Sequence, residues 1–202
     1  MNKGVKIGCL VAAGVVVIAG LSMYAFVKNT YNGMVALDEN VNQAWAQVQN
    51  VYQRRYDLIP NLVETVKGYA AHERQTLQAV TEARSRVGGV TQLSAEDLTP
   101  ENLAKFQQAQ AGLKGALQRL MVVMERYPDL KANQNFIRLQ DELAGTENRI
   151  AVERKRFNDA VQRYNQTIRS FPQNILAGMF GFVQKPYFEA DQQAQQAPKV
   201  EF

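Results

Sequence analysis

The chain of 202 residues holds one cysteine, one histidine and one tryptophan. With Cys9 alone no internal disulfide can form, and the redox compartment leaves no mark on the sequence. With His72 as the single imidazole, a zinc site built from nitrogen and sulfur donors lacks ligands. The Ala-Ala-His-Glu run around it reads as a helix surface. No Gly-x-Ser-x-Gly turn presents a nucleophile. No Walker loop is present, and no dinucleotide-type glycine motif follows a strand. Gly112 and Gly115 fall inside a helical pattern, where they are expected to allow close helix approach. Carboxylates occur as neighbours, Glu96/Asp97 and Asp141/Glu142, and adjacent helical residues point to different faces. Di-metal bundles carry Glu three residues before His, whereas Tyr69 holds that place before His72. The expectation is a protein with no catalytic residue, no metal and no cofactor.

A large excess of charge of one sign is lacking too. The formal net charge is +4, and three of those charges are Lys3, Lys6 and Lys28, with no acid before Asp38. The remainder is close to neutral, which argues against nucleic acid as a partner.

What is present begins with Ile7–Val27, an uncharged run of about 21 residues, enough to span a hydrocarbon core of roughly 30 Å. A secretory signal has a shorter apolar core and a small-x-small cleavage site. The best cut here, after Ala25, sets Met23 at the unfavourable −3 position, so an uncleaved anchor is expected. Cys9 precedes the apolar core instead of ending it, which argues against lipidation. Two lysines before the span and one just after it put the N-terminus in the cytoplasm and the rest outside. The expected location is a bacterial inner membrane, crossed once.

Beyond the anchor, apolar positions recur at alternating spacings of three and four. One seam reads Val41, Trp45, Val48, Tyr52, Arg55, Ile59, Leu62, Val66, Tyr69, Glu73, Thr76, Val80, Ala83, Val87. A second runs Leu103, Phe106, Gln110, Leu113, Leu117, Leu120, Met124, Tyr127. A third reads Phe136, Leu139, Leu143, Thr146, Ile150, Glu153, Phe157, Ala160, Tyr164, Thr167, Phe171, and in it Phe136, Leu143, Ile150, Phe157, Tyr164 and Phe171 recur every seven residues. This period is helical and excludes strands. It is also the spacing of coiled-coil packing. Gly88-Gly89, Ser94 with Asp97, Thr99-Pro100, Tyr127-Pro128 and Phe171-Pro172 punctuate the pattern. The fold class is all-α: a transmembrane helix, then an elongated antiparallel bundle of three long helices, or four if the first breaks at Pro60. The organisation is an anchor over 1–28, a bundle over 29–172, and an apolar segment with a flexible tail over 173–202.

Three charged residues fall on the seams, Arg55, Glu73 and Glu153. Each either snorkels at the seam edge or joins a buried polar layer that fixes register. Arg149, Arg154, Lys155, Arg156, Arg163 and Arg169 form a basic cluster: a solvated helix face, or a surface for an acidic partner or anionic lipid. The apolar segment Asn174–Val183, with Phe180 and Phe182, either packs on the bundle end or touches membrane or a partner. The last residues, Pro198–Phe202, either dock in a partner or end disordered.

Tyr31-Asn-Gly33, Leu37-Asp-Glu39, Asn42–Gln47, the run Tyr52–Glu73, and Asn148–Val161 continuing to Tyr164-Asn165 and Ser170–Pro172 resemble the LemA family. The similarity extends through Lys185-Pro-Tyr-Phe188. That resemblance implies a helical bundle behind an N-terminal membrane helix, with no established enzymatic activity and no catalytic residues to carry over. It also implies company with membrane metalloproteases or TPM-domain proteins, and one relative belongs to the magnetosome membrane. The functional expectation is a membrane-anchored scaffold for another membrane protein. The alternative is a self-associating, membrane-organising protein.

Overall fold

A computed structural model describes residues 3–89 and 93–189, with side chains from Leu10 onward. The side chain of Cys9, the Gln/Ala-rich 191–198 and the terminal Pro198–Phe202 lie outside the described residues. Among these residues six helices follow in order: α1 (Lys3–Lys67), α2 (Arg74–Gly88), α3 (Pro100–Met124), α4 (Pro128–Lys131), α5 (Gln134–Arg169) and α6 (Gln173–Phe180). No strand occurs among the described residues. The protein is an all-α helical bundle that begins with a long apolar helix.

The chain forms two compact units. One contains the residues up to Asn40 with Gln162–Gln184; the other contains Val41–Val161 and the segment from Lys185.

In the larger unit the seams meet as their spacing predicts. From Val41 to Val66 the buried residues of α1 are the seam positions alone. On α3, Leu103, Phe106, Gln110, Leu113, Leu117, Leu120 and Met124 are buried, with Ala116 beside them. Ile59, Leu62 and Val66 join Leu77, Val80, Val87, Leu113, Leu120, Phe136 and others in one hydrophobic cluster. A second, aromatic cluster surrounds Trp45, whose ring centroid lies 5.4 Å from Phe106, 5.6 Å from Phe157 and 6.1 Å from Phe188. Its indole N–H donates to the Leu93 carbonyl at 2.9 Å.

The caps are partly those expected. Thr99 Oγ1 accepts from the Asn102 N–H at 3.2 Å and Pro100 opens α3, as a cap-proline start requires. Ser94 Oγ accepts from the Asp97 N–H at 3.2 Å, but the pair closes a turn before the helix rather than opening it. Asn133 caps α5, its Oδ1 accepting from the N–H groups of Asn135 and Phe136 at 2.9 and 3.0 Å.

Four expectations need correction. First, α1 continues through Pro60 and ends at Lys67; the break falls at 68–73. Pro60 has no N–H for the Tyr56 carbonyl. Arg84 of α2 supplies the missing donor, its Nε reaching that oxygen at 3.3 Å. The Arg84 guanidinium also lies 3.8 Å from the centroid of the Tyr56 ring.

Second, the seam slips at the break itself. Ala70 and Leu77 are buried, whereas Tyr69 is 45% exposed and Thr76 only half-buried. The slip is local: the expected positions Val80, Ala83 and Val87 are buried again on α2. Third, Phe171, the last of the heptad row, lies in the turn beyond the end of α5 and is 81% exposed. A straight α-helix drifts about 20° per heptad against a seven-residue repeat. Past Phe157 the buried positions become Val161, Tyr164, Asn165 and Ile168. Fourth, a Cβ placed on Gly112 would meet nothing within 4 Å, so this glycine serves no close helix approach. It lines an open groove instead.

Candidate functional site

The three charged seam residues do not form one layer. Arg55 is 2% exposed. Its Nη1 pairs with the Glu147 carboxylate of α5 at 2.5 Å, and its Nη2 donates to the side-chain oxygen of Gln110 on α3. The guanidinium carbon also stands 5.1 Å from the centroid of Tyr52. Arg55 therefore ties α1 to α3 and α5 by contacts that fit one alignment only. Arg55 Nε and Gln110 Nε2 are buried with no hydrogen-bond partner. A buried polar layer of this kind fixes register at a cost in stability.

Glu73 stands at the N-terminus of α2. Its carboxylate accepts from the Tyr127 hydroxyl at 2.9 Å and from Arg126 at 3.1 Å. The hydrogen bond to Glu73 raises the Tyr127 pKa above its ordinary value. Asn133 donates to the Tyr69 hydroxyl at 2.8 Å, so the 68–73 turn is held by the α3–α5 connection. Glu153 keeps to its own helix, pairing with Arg156 at 2.8 Å.

The basic cluster separates into two kinds of residue. Arg154 is half-buried and internal in its work. It donates to the Glu189 carbonyl at 2.7 Å, and its guanidinium carbon lies 4.9 Å from the Phe188 ring centroid. Asn158 grips the same strand-like segment from both sides. Its Nδ2 donates to the Phe188 carbonyl at 3.0 Å, and its Oδ1 accepts the Phe188 N–H at 2.9 Å. Lys185 donates to Asn42 Oδ1 at 3.1 Å. Phe188 is thereby fastened into the aromatic cluster. Arg149, Lys155 and Arg156 are exposed, and Arg149 and Lys155 form no ion pair among the described residues. Arg149 and Arg156 are seven apart on α5, hence on one face. Arg163 and Arg169 are exposed in the smaller unit.

In that smaller unit every residue from Leu10 to Phe26 is exposed. This stretch of α1 is long and apolar enough to cross a membrane. Tyr31 follows it, and the rings of Phe180 and Phe182 lie 4.9 and 5.8 Å from the Tyr31 ring. Tyr164 donates its hydroxyl to the Val183 carbonyl at 3.0 Å. Burial, with the Asp38 charge adding to it, pushes the Tyr164 pKa up to about 12.

Sequence reasoning misses the groove between α2 and α3. It has a volume of about 520 Å³ and is floored by Ala79, Ala83, Ala109 and Gly112. Arg86 pairs with Glu82 at 3.8 Å and Lys105 with Glu101 at 2.7 Å, so most of its rim is balanced within each helix. The Lys105 ammonium holds the Glu101 carboxyl below its ordinary range. Small residues on a helix give no signal that a groove lies over them. The partners of Gln110, which stands on the second seam, and the roles of Glu147, Arg84 and Asn158 are likewise unannounced, because each acts through a partner far away in sequence. Among the described residues, no cluster of three or more His, Cys, Asp or Glu is placed to hold a metal ion.

A family model described as the LemA family matches residues 44–202. Magnetosome protein MamQ 2 of Paramagnetospirillum magneticum is 29% identical over 192 residues, covering 86% of this chain and 71% of that protein. Magnetosome protein MamQ of Magnetospirillum gryphiswaldense is 27% identical over 193 residues, with coverage of 85% and 70%. Protein LemA of Metamycoplasma hominis is 22% identical over 173 residues, with coverage of 85% and 75%.

Proposed function

The chain belongs to the LemA family, and from that premise we propose that it is a single-pass membrane protein whose bundle is a non-enzymatic scaffold for another membrane or envelope protein. The observation that carries this reading is the contrast between the anchor and the bundle interior. Leu10–Phe26 is exposed all round, as a helix in lipid is. In the bundle the buried seam charge Arg55 is committed to internal partners, leaving the outer faces for recognition. The lysines around the span favour a cytoplasmic N-terminus and an extracytoplasmic bundle, in a bacterial inner membrane. Names of relatives that carry the word magnetosome are in keeping with a role in membrane organisation.

The docking face we assign is that of Arg149 and Arg156, with the exposed Lys155 at its edge. Its partner is a membrane protein with an acidic surface, for which a membrane protease or a TPM-domain protein is a candidate. Arg154 does not belong to this face, because it holds Glu189 and Phe188. The test is photo-crosslinking in membranes from positions 149 and 155, beside a Arg149→Glu/Lys155→Glu/Arg156→Glu variant. The reading expects adducts to one other membrane protein, lost in the variant while its thermal midpoint stays unchanged. Adducts to this chain alone would replace it with self-assembly. Adducts that survive the charge reversal would remove the face.

A further inference from the structure

α6 and the turn after it lie on the end of the apolar part of α1. Tyr31 is four residues past Val27, or about 6 Å along a helix axis. The headgroup layer on each side of the hydrocarbon is roughly 5–8 Å thick. If Ile7–Val27 fills the hydrocarbon, Tyr31 stands at headgroup depth. The rings of Phe180 and Phe182, at 4.9 and 5.8 Å from it, are held near the same level.

Holding them there takes a specific turn. Gly181 has φ +77°, and the Phe182 N–H donates to the Ala177 carbonyl at 3.0 Å. Left-handed backbone at this point is cheap for glycine alone. It folds the chain back so that aromatic rings on both sides of Gly181 meet Tyr31.

One side of α6 is internal: Leu176 and Ala177 are buried. The other side is open and apolar, with Ile175 55%, Met179 73% and Val183 70% exposed, and Phe171 81% exposed just before the helix. No charged residue occurs between Arg169 and Lys185. A water-facing helix of this exposure would carry charge on its outer side. An uncharged outer side, on aromatic rings beside the span, suits the boundary between headgroups and acyl chains.

We infer that α6 with the turn after it is a second membrane contact, a short interfacial segment that lays Ile175 and Met179 of the helix and Val183 of the turn into the bilayer surface next to the span of its own chain. The inference rests on the anchoring proposed above. Its occupant is lipid, without need of a protein partner.

The test uses the full chain with Cys9→Ala and Met179→Cys, labelled with an environment-sensitive fluorophore and reconstituted in phosphatidylcholine vesicles. Met179 is exposed, so the label displaces no core. Lipids carrying a nitroxide near the top of the acyl chain are expected to quench the label by about twofold or more, as burial of roughly 5–10 Å into the interface requires. A label at Val183→Cys should behave alike. Quenching by aqueous iodide alone, with none from the lipid nitroxide, would overturn the inference and leave the face for a protein. Flotation of the same vesicles after alkaline carbonate reports the anchor separately. Protein that floats yet escapes lipid quenching defeats only the interfacial helix; protein that fails to float defeats the anchor as well.

Discussion

Two stretches of α1, Leu10–Phe26 and Val41–Val66, belong to one continuous helix and use apolar residues in opposite ways. In the first, side chains are exposed on every side, among them Leu10 at 73% and Val16 at 70%. In the second, burial is confined to Val41, Trp45, Val48, Tyr52, Arg55, Ile59, Leu62 and Val66. A stripe is what a helix shows when neighbours cover one side and water the rest. An apolar surface all round is what it shows when its surroundings are the same in every direction. The period of an apolar pattern thus reports the symmetry of the environment, and the backbone is indifferent to which applies.

The comparison is broken most strongly at Trp45. Its ring is 1% exposed and touches Phe106, Phe157 and Phe188. Trp45→Ala leaves a large cavity and removes one of the two donors to the Leu93 carbonyl, Gln49 Nε2 keeping the other at 2.7 Å, so about 3–5 kcal/mol of folding stability should be lost. Val17→Ala, in the exposed stretch, should change the stability of the bundle in detergent by less than about 0.5 kcal/mol. Urea unfolding of both full-length variants in micelles makes the measurement. Equal losses would mean that the two stretches are buried against protein alike.

A second test sharpens the contrast by placing it on pH. Tyr164 is 2% exposed, and its pKa is raised from 10.0 to about 12. A group whose folded pKa exceeds its unfolded value stabilises the fold fully below the unfolded value. That contribution is lost as pH rises through the folded one. The window is pH 10 to 12, and the loss is on the order of 2 kcal/mol. Thermal midpoints should fall across this window in the wild type, and fall much less in Tyr164→Phe. Parallel curves for the two proteins would show that another group sets the alkaline limit.

The stripe of Val41–Val66 is legible in sequence because packing on one side demands a 3.5-residue period, and that demand acts on every residue. Arg55 is legible as a seam residue for the same reason. Its partners are not, since Gln110 and Glu147 are chosen by the alignment of three helices, which no single period encodes. The break after Lys67 escapes for a related reason. Tyr127, Arg126 and Asn133 hold the 68–73 turn from elsewhere in the chain. Arg154 reads as one cation among several until Phe188 is seen beneath it. Phe171 misleads because the seven-residue row, still buried at Tyr164, was extended past Arg169, where α5 ends. As for the site, the exposed Arg149, Lys155 and Arg156 are readable as a charged face, but the residues to be excluded from it are not.

The smallest effect concerns why α1 survives Pro60, a residue of the striped half with no counterpart in the exposed half. Proline removes the N–H that would bond the Tyr56 carbonyl, and sequence logic then expects a kink or a short break. Arg84 answers from α2, with Nε on that carbonyl at 3.3 Å and its plane over the Tyr56 ring. Losing one such hydrogen bond costs about 1 kcal/mol, and a half-exposed cation–π contact about 0.5–1 kcal/mol. Arg84→Ala should therefore destabilise the protein by about 1–2 kcal/mol. The decisive comparison is the same substitution on a Pro60→Ala background. There the restored N–H bonds the Tyr56 carbonyl within α1, and only the ring contact with Arg84 remains to be lost. Arg84→Ala should then cost less, with a coupling on the order of 0.5–1 kcal/mol in a double-mutant cycle. Additive losses would mean that Arg84 stabilises α2 against α1 without compensating for the proline, and that the helix crosses Pro60 by packing alone.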